Sequence, residues 1–405
     1  MQDSQYDICI IGGGLVGLSL ALALAPLDLQ IIIIEAKPPA EKNKNPDESK
    51  AIALTYTSEL IFKKLSIWPA LISYANPIKA LYISEYGKFG RCHIKAADLK
   101  LPNLGQLVPE AILLNTLTEL VGKTKNIAFI RPAKVGRVDF NQRKLQVQIE
   151  GSVKVLSFTY RLLIAADGMD SQIRNSLHIK ICKKDYKQAA LVTRLNVSQD
   201  HQHTAYERFS PRGTLALLPI APRRCALIIT GDYNKIQTWQ AFNEEAFLAN
   251  LQQLMGYRLG RFSGLTKRLV FPLTMMVIEE QVKAGVIILG NAAHLLHPIA
   301  AQGFNLSLRD IATLTELIAE AKGEHKDFAK EALLQKYNEL RVKDQASTIC
   351  MTNNIVDIFN SESWFLQHSR QWGLLGLEYV PFLKTLFAKQ AMGMRGKISK
   401  LIHGE

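Results

Sequence analysis

The sequence predicts an α/β fold: a Rossmann-like parallel sheet, an inserted and mainly antiparallel sheet, and a helical carboxyl-terminal region. Three observations predict it. Tyr6 to Ile11 (YDICII) reads as a strand, Gly12-x-Gly14-x-x-Gly17 follows it, and Leu15 to Ala25 reads as a helix before a second strand-like run, Gln30 to Ile34, closed by Glu35. Between Gln188 and Leu273 the chain changes to alternating strand-like runs. From Phe328 onward it reads as helical.

In chain order, Lys37 to Lys50 is polar, contains prolines and reads as a loop, and Ala51 to Leu65 reads as a helix. Arg161 to Asp170 (RLLIAADGMD) is an apolar strand ending in a small-residue turn. Ala189 to Val197, Leu215 to Pro219 and Arg224 to Thr230 form the alternating strands, interrupted by a helix-like Phe242 to Met255. Gly285 to Leu289 is β-branched and apolar, as a buried parallel strand is, and Gly290 ends it. Asn305 to Leu317 then has helical spacing, so a helix begins near Gly303. The expected division is a discontinuous nucleotide-binding domain over 1–75, 100–180 and 275–345, a substrate domain over 76–99 and 181–274, and a helical region over 346–405.

The amino-terminal unit carries the full Rossmann fingerprint in its proper context. Gly12 allows a tight turn, Gly14 lets the backbone approach a pyrophosphate, Gly17 permits close packing of helix on strand, and Glu35 can accept hydrogen bonds from a ribose. Leu15 and Val16 begin the helix whose free amides would meet the phosphates. The acid favours an unphosphorylated ribose, hence FAD or NAD. The segment Gly290 to Asp310 favours FAD, because a loop of small residues leading into a helix offers free amides and a positive dipole end to an anionic ring. An ordinary strand-loop-helix connection is the alternative for that segment alone. No second GxGxxG occurs, so any nicotinamide donor would bind transiently.

Composition agrees with a two-domain enzyme: 405 residues, 48% of them hydrophobic, can bury a substantial core. The five cysteines are scattered without a CxxC pair or a histidine cluster, which argues against disulfides and structural zinc and points to a reducing cytoplasm. Ile8 to Ala25 is uncharged but contains the fingerprint glycines and follows Asp3 and Asp7, so it reads as neither signal peptide nor membrane span. The net charge of +13 comes without a basic stripe interleaved with aromatics, which argues against nucleic acid. An anionic membrane surface, an acidic protein partner or a solvated basic surface each accounts for it.

The fingerprint with Glu35, the Asp167-Gly168 turn in LLIAADGMDSQIR, and GNAAHLLHPIAAQGFNLSLRD occur in the order and spacing of the class A flavoprotein aromatic hydroxylases, which the whole chain resembles. KAIALTYTSELIFKKLSIW, LGQLV, YKQAALV, ERFSPRGTLALLPI and GYRLGRF resemble the ubiquinone-biosynthesis branch, and Gly-Asn-Ala-Ala at 290–293 is similar to its 2-polyprenyl-6-methoxyphenol hydroxylases. The resemblance implies that FAD, reduced by NAD(P)H, reacts with dioxygen through a flavin C4a-hydroperoxide to hydroxylate a prenylated phenol. It also implies association with other ubiquinone-biosynthesis proteins.

Carried onto this chain, the resemblance places Val135 at the adenine, Lys50 and Gln106 near the flavin, and Asp167 at the pyrophosphate region. Gly290 and Asn291 would meet the ribityl chain, and Pro298, Ala301, Gln302, Gly303, Phe304 and Asn305 would line the ring. Lys50 stands where the family has arginine, Pro109 replaces an acid, and Ala301 and Ser307 replace glycines. Pro298, His297 and His294 are candidates to assist catalysis at the flavin loop, and Tyr206 and Arg208 are candidates for the substrate-ring pocket, with ordinary structural roles as the alternative.

A polyprenyl substrate would need an apolar channel. Trp364, Phe365, Trp372, Leu374, Tyr379, Phe382 and Phe387, with Lys384, Lys389, Arg395, Lys397 and Lys400, suit intramolecular packing with peripheral membrane contact at its end. Two other classes remain beside the hydroxylase: a FAD-dependent reductase or dehydrogenase acting on a prenyl substrate, and a non-catalytic member of a biosynthetic assembly.

Overall fold

The computed structural model describes residues 4–39, 49–152, 154–360 and 364–394. Its first sheet has a parallel centre in the order Val286–Ile288, Val155–Ala165, Ser4–Ile11, Ile31–Ile34, Ile127–Ile130. Parallel strands covered on both faces are apolar throughout, and Ile31 to Ile34 are all buried. Ile8, Ile10, Ile31 and Ile33 face a core shared with the helices, among them Leu15–Leu24, Glu110–Lys123 and Gln302–Gly323. Cys9, Ile11, Ile32 and Ile34 face a second core covered by the antiparallel strands Ala133–Asp139 and Lys144–Ile149.

The helix Leu15–Leu24 sits on the sheet at a distance only glycine permits. A Cβ at Gly17 would lie 1.9 Å from Gly12 O, and one at Gly12 would lie 2.2 Å from Ala166 O. Both positions therefore require hydrogen where other residues carry a side chain.

The second sheet has nine strands, drawn from 80–95, 181–278 and 294–295. Its alternation separates two environments. Leu191, Leu215, Leu217, Leu227 and Ile229 pack with Trp239 and Phe247 of the helices Tyr233–Ala241 and Glu244–Met255. Ala216, Leu218, Ile228 and Thr230 lie on the opposite face, where they line a cavity. The second helix begins at Glu244 rather than Phe242, because the Asn243 side chain accepts a hydrogen bond from the Ala246 amide at 2.8 Å and fixes the start.

The helix expected over Ala51 to Leu65 is two elements. Ala51–Thr55 is a strand paired antiparallel with Gly105–Pro109, and Tyr56–Lys64 is the helix. Small and large residues alternate through Ala51, Ile52, Ala53 and Leu54, the period of a strand, and Thr55 caps the helix by accepting from the Ser58 amide.

The helix expected near Gly303 begins at Gln302 and runs to Gly323, and the carboxyl-terminal region is helical over Glu331–Asn360, Trp364–Tyr379 and Pro381–Ala391. A buried polar network ties the first two of these four helices together. Asp310 lies 2.6 Å from Arg341 Nε and 2.8 Å from His294 Nε2, and Asp344 lies 2.9 Å from Arg309 Nε and 2.7 Å from Arg341 Nη2. Burial alone would raise the Asp310 carboxyl, but Arg341 and the His294 hydrogen bond outweigh it and hold it at about 2. Among the described residues no helix is long and apolar enough to cross a membrane.

Candidate active site

Two large cavities lie at the places where the sequence concentrates its chemistry. The first, about 1010 Å³, opens at the carboxyl ends of the parallel strands. Gly12, Gly14, Glu35, Val135 and Asp167 line it, together with Gly13, Lys37 and Arg131. Glu35 also builds the glycine loop: its carboxylate accepts from the Gly13 amide at 2.6 Å and the Lys37 amide at 2.7 Å. The spacing rule does not single out Gly13, since it occupies the free position between the first two motif glycines.

The geometry of this cavity fits the ADP half of FAD. A Cβ at Gly14 would meet nothing within 4 Å, so the loop leaves open space at the helix start where a pyrophosphate needs it. Asp167 Oδ1 is buried without a partner among the described residues, beside Gly168 at φ +85°. Burial raises the Asp167 carboxyl from its ordinary range, against the opposing hydrogen bonds of Ser171 and neighbouring backbone amides. Leu15, Val16 and Gly17 shape the cradle from behind. A Cβ at Gly290, φ +65°, would come within 3.0 Å of a Val16 methyl, so the end of strand Val286–Ile288 rests against that helix.

The second cavity, about 900 Å³, is bounded by the free face of the antiparallel sheet, the loop 298–301 with the start of its helix, and the last helices. Pro298, Ile299, Ala301 and Asn305 contribute the loop, and Leu377, Leu386 and Phe387 contribute to its helical wall. Asn305 is wholly buried and uses its side chain as a clamp. Its Oδ1 accepts from the Thr55 amide at 2.9 Å and the Ser58 hydroxyl at 2.7 Å, and its Nδ2 donates to Ala53 O at 2.8 Å and Ala301 O at 2.6 Å. Ala301 is left-handed at φ +50°, ψ +37°, a conformation that glycine adopts more cheaply, by roughly 1 kcal/mol.

Other expected residues have protein partners of their own. Lys50 Nζ lies 3.8 Å from the centroid of the Phe271 ring, a cation–π contact. Gln106 donates to Glu59 at 3.1 Å, Gln302 donates to Ala391 O at 2.7 Å, and Phe304 packs against the helical core near Phe62. Asn291 is exposed, and Gly303 lies in the first turn of its helix, where a Cβ would meet no atom within 4 Å.

His294 belongs to the Asp310 network. His297 accepts at Nδ1 from the Ile299 amide at 3.2 Å, which leaves Nε2 to donate to Gln188 Oε1 at 3.2 Å, and neither histidine lines either of the two large cavities. Burial lowers His297 to about 4, so it stays neutral.

Tyr206 and Arg208 lie on the helix-packed face of their strand, not in the large cavity. Strand alternation instead turns Ala205, Glu207 and Phe209 into it. The signal that finds Glu207 is a single acid set between apolar residues at period two.

The family model described as FAD binding domain matches residues 5–351. The chain belongs to this family. Ubiquinone hydroxylase UbiM of Neisseria meningitidis is 30% identical over 392 residues, 96% of this chain and 84% of that protein. Ubiquinone hydroxylase UbiL of Rhodospirillum rubrum is 28% identical over 395 residues, 96% of this chain and 90% of that protein. The crystal structure of p-nitrophenol 4-monooxygenase PnpA from Pseudomonas putida shares the fold, with a TM-score of 0.77 at 15% identity over 97% of this chain and all of that one. The family makes this chain a FAD-dependent monooxygenase, with a nicotinamide electron donor typical of its members.

Two variants test the loop. Replacing Asn305 with Leu strands four buried polar groups; chemical denaturation is expected to show a loss of about 3 kcal/mol, accompanied by weaker FAD retention. For His297, the unfolded chain binds a proton near 6.5 and the folded chain only near 4, so the unfolded state holds more protons between those values. Stability should therefore fall as the pH is lowered through that window, by up to about 1.4 kcal/mol per pH unit, and the His297→Gln variant should lose this component of the slope.

Proposed function

We propose that this enzyme hydroxylates the aromatic ring of a prenylated phenol, of the 2-polyprenyl-6-methoxyphenol kind, in ubiquinone biosynthesis, using NAD(P)H and dioxygen. The observation that carries the reading is the 900 Å³ cavity, lined chiefly by apolar side chains and bordered by Pro298, Ala301 and Asn305 of the flavin loop. The relatives named ubiquinone hydroxylases support the substrate class, and Asn291 in Gly-Asn-Ala-Ala supports the methoxyphenol.

Gly12, Gly14, Glu35, Val135 and Asp167 would hold the ADP half of FAD, and the loop from Pro298 would meet its ring end. Bound FAD supplies the electron transfer and oxygen activation. The chain's own residues do the rest. Asn305 fixes the loop, Ile299 and Phe387 help to exclude water, and the sheet face orients the phenol.

The last helices supply a route to the cavity. Leu383 is 41% exposed and also lines the cavity, while Trp372, Tyr379 and Phe382 are exposed by 68%, 73% and 72%. Phe89, on the neighbouring hairpin, meets Trp372 edge to face at 6.3 Å. With exposed Lys88, Arg91 and Lys389 nearby in the chain, this rim suits an anionic bilayer holding a long prenyl tail. The side chains of Trp364 and Phe365, and residues Arg395, Lys397 and Lys400, lie outside the described set.

With the FAD-loaded enzyme, NAD(P)H and a short-chain 2-prenyl-6-methoxyphenol under ¹⁸O₂, mass spectrometry should find one labelled oxygen in the product. Anaerobic turnover without incorporation would establish a reductase instead, and a protein that refuses added FAD would favour a non-catalytic role. Changing Trp372 and Phe382 together to Ser should reduce sedimentation with anionic vesicles and raise KM for a long-chain substrate presented in them. A soluble short-chain substrate should be turned over as before; equal loss on both would overturn the membrane reading.

A further inference from the structure

The large cavity has two charged residues in its lining, and they stand in different circumstances. Arg370 is held by Glu85, at 3.3 Å, and by Ile358 O, at 3.0 Å. The Glu207 carboxylate forms no hydrogen bond or ion pair with any described residue. It sits on strand Thr204–Ser210 between Ala205 and Phe209, opposite Ile83 on one neighbouring strand and Ala216 on the other, and all four line the cavity with it. Its remaining exposure is to that interior.

An ionisable group set alone in apolar surroundings is costly, and a purely structural position would be better filled by another aliphatic residue. We propose that the Glu207 carboxylate is the base that takes the phenolic proton of the substrate in this cavity and returns it to the product. The assignment rests on the hydroxylase reading above and adds to it the residue that activates the ring.

The proton balance is closed. The phenolic O–H breaks, a bond to a Glu207 oxygen forms, and the electron pair left on the phenolate raises electron density at the ring carbons ortho and para to it. One atom of dioxygen is added to the ring, whose displaced hydrogen leaves as a proton when aromaticity returns. The dihydronicotinamide's hydride and one solvent proton supply the two electrons and two hydrogens that reduce the other atom to water, and the displaced ring proton balances that of the new hydroxyl. Glu207 then gives its proton back to the product oxygen and is ionised again.

The surroundings suit this work. Burial pushes the Glu207 carboxyl up to about 7, closer to a phenol near 10 than an ordinary carboxylate is. The charged groups on the packed elements are already engaged: Glu85 by Arg370 and Gln371, and Glu378 by Lys384 at 3.3 Å. Thr214, on the adjoining strand, and Thr230, on the strand beyond it, are neutral hydroxyls of the same sheet face. None of these supplies a second free carboxylate among the described residues.

The test uses the full-length, FAD-loaded enzyme and a short-chain 2-prenyl-6-methoxyphenol. Glu207→Gln should retain the flavin spectrum and bind the phenol, while hydroxylation falls by about 10²- to 10⁴-fold and hydrogen peroxide formation rises. The wild-type rate should climb through an inflection near pH 7 that the Gln variant lacks. Glu207→Asp should be slower yet keep the inflection, so the result stands even if the Gln variant folds poorly. A fluorinated analogue already ionised at the assay pH should be hydroxylated at similar rates by wild type and Glu207→Gln. Active wild type with an equally active Gln variant and an unchanged pH profile would overturn the role of Glu207 alone. Wild type that cannot hydroxylate the phenol would overturn the reaction reading itself.

Discussion

The structure depends on a contact made without side chains: helix Leu15–Leu24 against the carboxyl ends of the strands Ser4–Ile11 and Val155–Ala165. Gly17 lies under Gly12 O and Gly12 under Ala166 O, so any Cβ at either position would push helix and sheet apart. That approach fixes where the free amides of the helix start are presented and where Asp167 lies relative to them. Gly290 extends the same device to the neighbouring strand, whose end leads into the flavin loop. One constraint of main-chain packing thereby positions both halves of the proposed cofactor site.

The second half is held by polar contacts rather than by close approach. Asn305 satisfies four groups drawn from the loop, the strand Ala51–Thr55 and the helix after it, and the Asp310 network fastens the same long helix to Glu331–Asn360. Buried networks of this kind favour one arrangement through their satisfied members, although His294 Nδ1 and Arg309 Nη1 have no partner among the described residues. The left-handed Ala301 is tolerated in this setting because its carbonyl is one of the four groups that Asn305 holds.

The sequence makes the amino-terminal unit readable because its spacing is dictated by main-chain geometry, which glycine reports directly. The inserted sheet is readable as a sheet, but the useful face of each strand is not. Tyr206 and Arg208 look like ligands by residue type, whereas register with Leu217 and Leu215 puts them against the helices and puts Glu207 inside. A shift of one residue reverses the faces, and only the pairing partners set it. Lys50, Gln106 and Phe304 show another limit: their motif positions are legible, but Phe271, Glu59 and Phe62 come from chain segments whose proximity is a tertiary fact. The strand Ala51–Thr55 is hard to see because its alternation is short and runs straight into a helix.

The two faces of the antiparallel sheet also differ in what fills them. One is sealed by Trp239, Phe247 and their neighbours, while the other borders aliphatic space that the chain's own side chains leave open. Such a wall is made of core residues, and anything that occupies it acts as a removable part of the hydrophobic core. Occupancy and folding stability are then thermodynamically linked: an apolar guest would favour the folded chain by mass action, and, for the proposed prenylated substrate, each added isoprene unit that reached the wall would strengthen the effect. Selectivity for tail length would thus be a packing property of the sheet, independent of the chemistry performed at the ring.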